Sequence, residues 1–274
     1  METRSLDLIP LEIGTGSVQT RPPADASARA GSPLSAPDAV LRLAPTRAYA
    51  DAQLDDTAGR ARRDLLWRPP LRFSLRARAS AAAPPGTFGF GFWNDPFSIS
   101  LGQGGAARKI PAAPQCAWFF HGAPPLDLPL KPGVPGSGWK AATLRFRRVP
   151  MPLLAPLVAG GVLLASLPFL RRPLFACARA FYQAEETLLH SDPSAWHTYA
   201  IEWEAAQVRF FVDDSLVLQS AFPPHPPLGL VLWIDNQFAV ASPAKGFGFG
   251  VLPLEAGQNL TLLNIRIERG SPAC

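Results

Sequence analysis

The feature that most constrains this chain is a recurrence of short runs in which apolar and polar residues alternate, each closed by a cluster of Pro, Gly or Asp. From Val40 onward the runs are VLRLA, YADAQLDD, LRFSLRARAS, FGFGFW, AWFF and ATLRFRRV. After an interruption, WHTYAIEWEA, QVRFFVDDSLVLQS, PLGLVLWIDNQ, GFGFGVL and NLTLLNIRIERG resume the rule. A period of two is that of a strand with one face buried, and many such strands at short spacing build an antiparallel two-sheet sandwich. In QVRFFVDDSLVLQ the pair Asp213-Asp214 separates two β-rich runs, and aspartate tolerates left-handed turn geometry, so a tight hairpin is predicted there.

A sandwich of this kind accommodates 274 residues in one domain, and with 47% hydrophobic and 17% charged residues the chain is too apolar to be disordered. Residues 1–38, rich in Pro, Ala, Ser and Gly from Gly14 onward, read as a loosely ordered arm. The formal charge of +5 is carried mostly by arginine, with pairs at Arg62-Arg63, Arg147-Arg148 and Arg171-Arg172, which suits an anionic surface or phosphate groups. Nucleic acid is not the expected partner, because no helix-turn-helix pattern, zinc spacing or ribonucleoprotein motif is present.

Three scattered cysteines, Cys116, Cys177 and Cys274, form neither a disulfide framework nor a metal site, and no cofactor or metal is expected. METRSLDLIPLEIGTG has no basic-then-apolar leader and the cysteines suit a reducing compartment, so a cytoplasmic location is the expectation, peripheral to a membrane if the apolar segment between Arg148 and Arg171 enters a leaflet, and Asn259-Leu260-Thr261 is not read as a glycosylation site.

WHTYAIEWEAAQVRFFVDDSLV, Trp196 to Val217, resembles the FHTYAIEWTPDSIRFYVDG signature of family-16 glycoside hydrolases, the laminarinase and lichenase group. LTLLNIRIERG is similar to that family's closing strand, and LRFSLRARASAAAPPGTFGFGFW to the strand pair that precedes its catalytic strand. The resemblance spans most of Leu71 to Arg269, its middle excepted. It implies an all-β, concanavalin A-like, two-sheet antiparallel jelly roll over 39–148 and 191–270, with a concave face that holds a sugar chain. His197, Glu202 and Glu204 fall on positions that are framework in that family.

The family's reaction needs a nucleophilic and an acid/base carboxylate about 5–5.5 Å apart, supplied by E-x-D-x-E on one strand. That motif occurs nowhere in this chain, and Gln115, Cys116, Ala117, Trp118, Phe119, Phe120 and His121 stand where it is expected. Carboxylates with strand spacing occur at three other places. Asp51, Gln53 and Asp55 share one face of YADAQLDD, either as a solvated outer face or as a carboxylate row. Trp93, Asn94 and Asp95 stand where a strand meets a turn before Pro96, as turn caps or as ligand groups. Trp233, Asp235 and Gln237 share one face of LVLWIDNQF, with Asn236 on the other, as a strand end or a cleft rim.

His121 either ends its strand or polarises a ligand hydroxyl. Trp93, Trp118 and Trp233 are the expected sugar-stacking rings. GTFGFGFW and KGFGFGVL echo one another; alternating glycine leaves one face of a strand bare, so that a ring, a ligand or a backbone can approach closely.

Between Arg148 and Arg171 runs VPMPLLAPLVAGGVLLASLPFL, uncharged and long enough for a membrane span. Strands on either side must pair in one sandwich, and Pro150, Pro152, Pro156, Pro168 and Gly160-Gly161 break the segment, so it must return. A helical insertion is therefore expected over 149–190, with PLFACARAFYQAEETLLH as an unbroken helix. It either caps the jelly roll or dips into one leaflet through Leu153, Leu154, Leu157, Val162, Leu163, Leu164, Leu167 and Phe169, with Arg171 and Arg172 at the headgroups.

The resulting expectation is a non-hydrolytic carbohydrate- or glycolipid-binding protein with Trp93, Asn94, Asp95, Trp118, His121, Trp233, Asp235 and Gln237 at its site. Two alternatives stand beside it. One is a glycan-active enzyme with relocated carboxylates drawn from Asp95, Asp235 and Asp51 or Asp55. The other is a protein-interaction module that docks through the insertion.

Overall fold

The computed structural model of the chain describes residues 6–21, 34–94, 112–147, 160–161 and 163–270. Its strands in the first half are β1 (Ile9–Ile13), β2 (Gly16–Arg21), β3 (Leu34–Ser35), β4 (Asp38–Leu43), β5 (Asp51–Asp55), β6 (Leu71–Ala79), β7 (Thr87–Trp93), β8 (Gln115–Gly122) and β9 (Gly138–Phe146). Helix α1 (Pro168–Arg179) precedes β10 (Tyr182–Leu188), β11 (His197–Trp203), β12 (Val208–Val212) and β13 (Ser215–Ser220). The chain closes with β14 (Gly229–Asp235), β15 (Gln237–Ser242), β16 (Gly246–Val251) and β17 (Gln258–Arg269).

Two large antiparallel sheets stack as a jelly-roll sandwich. One runs β1-β5-β14-β7-β8-β9-β10; the other runs β13-β12-β11-β6-β17-β4-β2, with β3 also on β17. Alternation places the core. In β6, Leu71, Phe73, Leu75, Ala77 and Ala79 are buried, while Arg76 and Arg78 point out and lie over the Trp196 ring at 5.0 and 4.9 Å. From the opposite sheet Phe90 meets Tyr199 at 5.1 Å, Phe92 meets Trp203 at 5.6 Å, and Phe119 meets Phe210 edge-on at 5.5 Å. The predicted hairpin joins β12 to β13, with Asp213 and Asp214 both at positive φ, 47° and 64°.

Two expectations fail here. Most described residues of the arm are strands: β1 pairs with β5, β2 with β4 and β3 with β17. Pro, Gly and Ser marked the arm as loop, but LEIGTGSV carries a turn between two short alternating runs, and edge positions beside β5 and β4 were open to them. The second is the unbroken helix expected up to His190. Helix α1 stops at Arg179, and YQAEETL continues as β10 against β9, because Glu186 there reaches the buried Lys140 ammonium at 2.9 Å. A tertiary ion pair outweighs helix propensity in this segment.

The return of the insertion is visible in register, since Phe146 at the end of β9 faces Tyr182 at the start of β10. β9 and β10 are thus antiparallel neighbours that flank the insertion. Leu153, Leu154, Leu157 and Val162 lie outside the described residues. No helix among the described residues is long and apolar enough to cross a membrane.

Candidate functional site

Antiparallel register sorts the outer face of the seven-stranded sheet into rows of directly opposed residues, which share a face. One row reads Asp51, Asp235, Thr87 and Gly122; the next reads Gln53, Trp233, Gly89, Phe120 and Lys140. The third reads Asp55, Val231, Gly91, Trp118, Ala142 and Glu186, and the fourth Gly229, Trp93, Cys116 and Leu144. Carboxylates therefore lie at one side, four aromatic rings in the middle, and a lysine–glutamate pair at the other side.

The rings form one cluster. Trp118 stands 5.9 Å from Trp93, 5.7 Å from Phe120 and 5.5 Å from Trp233, and Phe120 stands 6.1 Å from Trp233. The glycine–phenylalanine alternation of β7 explains why they fit. Its phenylalanines fill the core, and its glycines leave the outer face bare. A Cβ on Gly89 would lie 2.5 Å from the Trp233 ring, and one on Gly91 would lie 2.6 Å from the Trp118 Cα. Neighbouring strands have laid their tryptophans over that bare surface. Trp93, Trp118 and Phe120 are half-buried, and the Trp93 Nε1 donor is buried with no partner among the described residues.

At the acidic side, Trp233 Nε1 donates to Thr87 Oγ1 at 3.0 Å, and Thr87 Oγ1 donates to Asp235 Oδ1 at 2.8 Å. Gln237 Nε2 donates to Asp235 Oδ2 at 2.6 Å. Asp51 lies directly opposite on β5, and one of its carboxylate oxygens is buried without a partner among the described residues. Burial and the neighbouring Asp235 push the Asp51 carboxyl well above its ordinary range. Burial also raises Asp235, to about 6, against the hydrogen bonds from Thr87 and Gln237 that favour its charge. Two buried carboxyls this close cannot both ionise cheaply, so Asp51 keeps the proton while Asp235, with its donors, carries the charge.

At the other side Lys140 Nζ contacts Glu186 Oε2 at 2.9 Å and the Pro135 carbonyl at 2.6 Å. Glu186 Oε1 accepts from the backbone amides of Leu130 and Lys131 at 2.8 and 2.9 Å. Fully hydrogen-bonded, this pair anchors the loop over that end of the sheet.

The structure thus brings together Trp93, Trp118, Trp233, Asp235 and Gln237 as expected, and it adds Phe120, Thr87 and Asp51. It sets His121 and Asn94 apart from this cluster. His121 projects from the core side of β8, stacked on Phe88 at 4.8 Å with Nε2 against the Pro84 carbonyl at 3.2 Å, and burial holds its pKa down to about 4. Asn94 is occupied as a turn clamp, donating to the Ala113 carbonyl at 2.8 Å and accepting from the Gln115 amide at 3.0 Å. Asp95 lies outside the described residues.

Asp51 and Asp55 are buried rather than solvated. Asp55 is engaged by the Thr57 hydroxyl and by the Thr57 and Ala58 amides, a turn cap. Glu186 was missed because it lay in a stretch read as helix. Phe120 was legible from strand parity with Trp118.

Residues 177–223 match the model of glycosyl hydrolases family 16. The chain matches no curated protein significantly. Among solved structures, the endo-1,3-β-glucanase (laminarinase) catalytic domain of Thermotoga petrophila RKU-1 is similar at 13% identity and TM-score 0.41, over 84% of this chain and 76% of that one. LamAcat of Zobellia galactanivorans is similar at 12% and 0.43, over 93% and 90%, and the Bacillus licheniformis β-glucanase at 12% and 0.38, over 84% and 79%.

The sandwich is a family-16-like jelly roll. Identities this low carry no residue's role across. The residues of β8 that face outward in this family-16-like sheet are Cys116, Trp118 and Phe120, and burial raises the Cys116 thiol far above neutrality.

Proposed function

We propose that the outer face of the seven-stranded sheet binds carbohydrate, as a free glycan or a glycolipid headgroup, without the hydrolysis of the family this jelly roll resembles. The observation that supports this reading is the four-ring cluster of Trp93, Trp118, Phe120 and Trp233, two of whose rings, Trp118 and Phe120, stand on the strand where the resemblance calls for carboxylates. Pyranose rings present an apolar C–H face that packs on aromatic rings, and their hydroxyls need fixed donors and acceptors nearby. The half-buried rings supply the first, and the unpartnered Trp93 Nε1 donor serves the second, with the amides of Gln53 and Gln237 beside the rings held in place by Asp55 and Asp235.

Titration of the full chain with a panel of soluble glycans that includes laminarin-type oligosaccharides, read by tryptophan fluorescence, tests this. Saturable binding is expected, weakened about tenfold or more by Trp118→Ala, roughly 1.4 kcal/mol, with no release of reducing sugar. Absence of saturable binding to any glycan in the panel overturns the reading.

A second reading, a glycan-active enzyme, draws on the Asp51–Asp235 pair, because neighbouring carboxyls held in different protonation states are what acid/base chemistry requires. Release of reducing sugar that disappears in Asp51→Asn and Asp235→Asn, with binding retained, would replace the first reading by this one.

A further inference from the structure

Eight large hydrophobic side chains are exposed among the described residues, and six of them, Leu163, Leu164, Leu167, Phe169, Phe247 and Phe249, come from two segments that are fastened together. Phe175 of α1 stacks on Phe247 with centroids 5.0 Å apart and planes 25° apart. Arg171 Nε donates to the Ala165 carbonyl at 2.9 Å, and its guanidinium donates to the Ala244 carbonyl at 3.3 Å. The turn before α1, the helix itself and the β15–β16 turn therefore form one surface, on which Phe169 is 75% and Phe249 74% exposed.

Beside it lies an open depression of about 450 Å³, lined by Lys131, Arg172 and Arg179, with Asp127 as the only carboxylate in its lining. Asp127 is already engaged, accepting from the Ser242 hydroxyl at 2.7 Å and lying 3.6 Å from Lys245 Nζ. Arg172 has no carboxylate partner among the described residues, whereas Lys131 is shared with Glu185 at 2.6 Å.

We propose that this surface docks on a bilayer containing anionic phospholipid, with the exposed Leu and Phe side chains entering the interface and the depression receiving a lipid phosphate. Apolar side chains gathered in one patch mark an interaction site on a soluble domain. Stable interfacial binding takes two signals, buried apolar area and a basic fringe facing anionic lipid, and both are present here. The same fringe argues against a second copy as occupant. In a two-fold dimer the patch meets itself, and Arg172, Arg179 and Lys245 of the two copies would oppose each other. The proposal is independent of the carbohydrate reading, since none of its residues lies on the aromatic face.

Co-sedimentation of the full chain with phosphatidylcholine vesicles, with and without phosphatidylserine, tests it. Partition is expected to be about tenfold stronger with phosphatidylserine and to weaken in high salt. Phe169→Ser with Phe249→Ser, and separately Arg172→Glu with Lys245→Glu, should each lower it about tenfold or more while leaving the thermal midpoint in place. Trp118→Ala should leave it unchanged, which separates failure here from failure of the glycan reading. No partition, equal partition on both vesicles, or wild-type partition in both double variants overturns the proposal. So does a concentration-dependent dimer that Phe249→Ser dissolves, which would give the surface to a second copy.

Discussion

Strands β7 and β16 carry nearly the same sequence, TFGFGFW and GFGFGV, and meet opposite fates. β7 is hydrogen-bonded on both edges, to β14 and β8, and Phe88, Phe90 and Phe92 are at most 1% exposed. Among the described strands β16 pairs with β15 alone, in a two-stranded ribbon; Phe249 is 74% exposed, and Phe247, stacked on Phe175, is still 46% exposed. Local pattern dictates that phenylalanines share one face and glycines the other; the number of neighbours decides how much of that face is packed. The glycine face differs position by position. On β7 it is covered by Trp233 and Trp118, whereas on β16 a Cβ at Gly250 would lie 2.7 Å from the Phe238 ring but one at Gly248 would find Val240 alone, 3.9 Å away.

The comparison is easiest to break with paired substitutions. Phe90→Ala opens a cavity beside Tyr199, Phe119 and Trp139 and is expected to cost about 3–5 kcal/mol, read as a drop in denaturant midpoint. Phe249→Ala is expected to stay within about 0.5 kcal/mol of wild type. Equal losses would mean that the β16 ribbon is part of the core.

Next in size is a pH effect confined to the β7 side. Asp235 holds its proton up to about 6 in the folded protein, against an ordinary 3.8, so the folded state binds more protons between those values. Its contribution to stability is complete below about pH 4 and is lost as pH rises through 6. His121, on the core side of the same sheet and held down to about 4, works in the opposite sense, losing stability as pH falls below its ordinary 6.5. The informative quantity is therefore a difference. Asp235→Asn should gain on wild type by on the order of 2–3 kcal/mol between pH 4 and 7. A flat difference, or one of opposite sign, would show that burial does not raise the Asp235 carboxyl.

The smallest effect separates the glycines. Gly89→Ala pushes a methyl group into the Trp233 ring and is expected to cost roughly 1–3 kcal/mol and to blue- or red-shift tryptophan emission. Gly248→Ala should be neutral or stabilising by up to about 1 kcal/mol, since the extra methyl meets open space and the unfolded chain loses freedom. If both glycines tolerate alanine equally, the Trp233 ring does not depend on the bare face.

Much of the sandwich was legible in the chain, because a strand with one buried face must alternate and each alternating run announces its own burial. The aromatic face was legible in the same way. Trp118 and Phe120 share parity, and Trp233, Asp235 and Gln237 share parity on another strand. What no local pattern contains is which strands lie side by side. That Asp51 faces Asp235 depends on β5 pairing with β14 across about two thirds of the chain, and burial of both carboxyls follows from that pairing.

The sequence by itself determined that this chain alternates into strands, that Asp213-Asp214 turns tightly, and that its apolar interruption must return to where it left. Only the tertiary structure decided that YQAEETL is a strand rather than a helix, that His121 looks inward, and that two copies of one glycine–phenylalanine pattern are spent in opposite ways. The reason is that alternation and turn chemistry act over a few neighbouring residues, whereas burial, ion pairing and ring packing depend on partners that only the sheet order brings together.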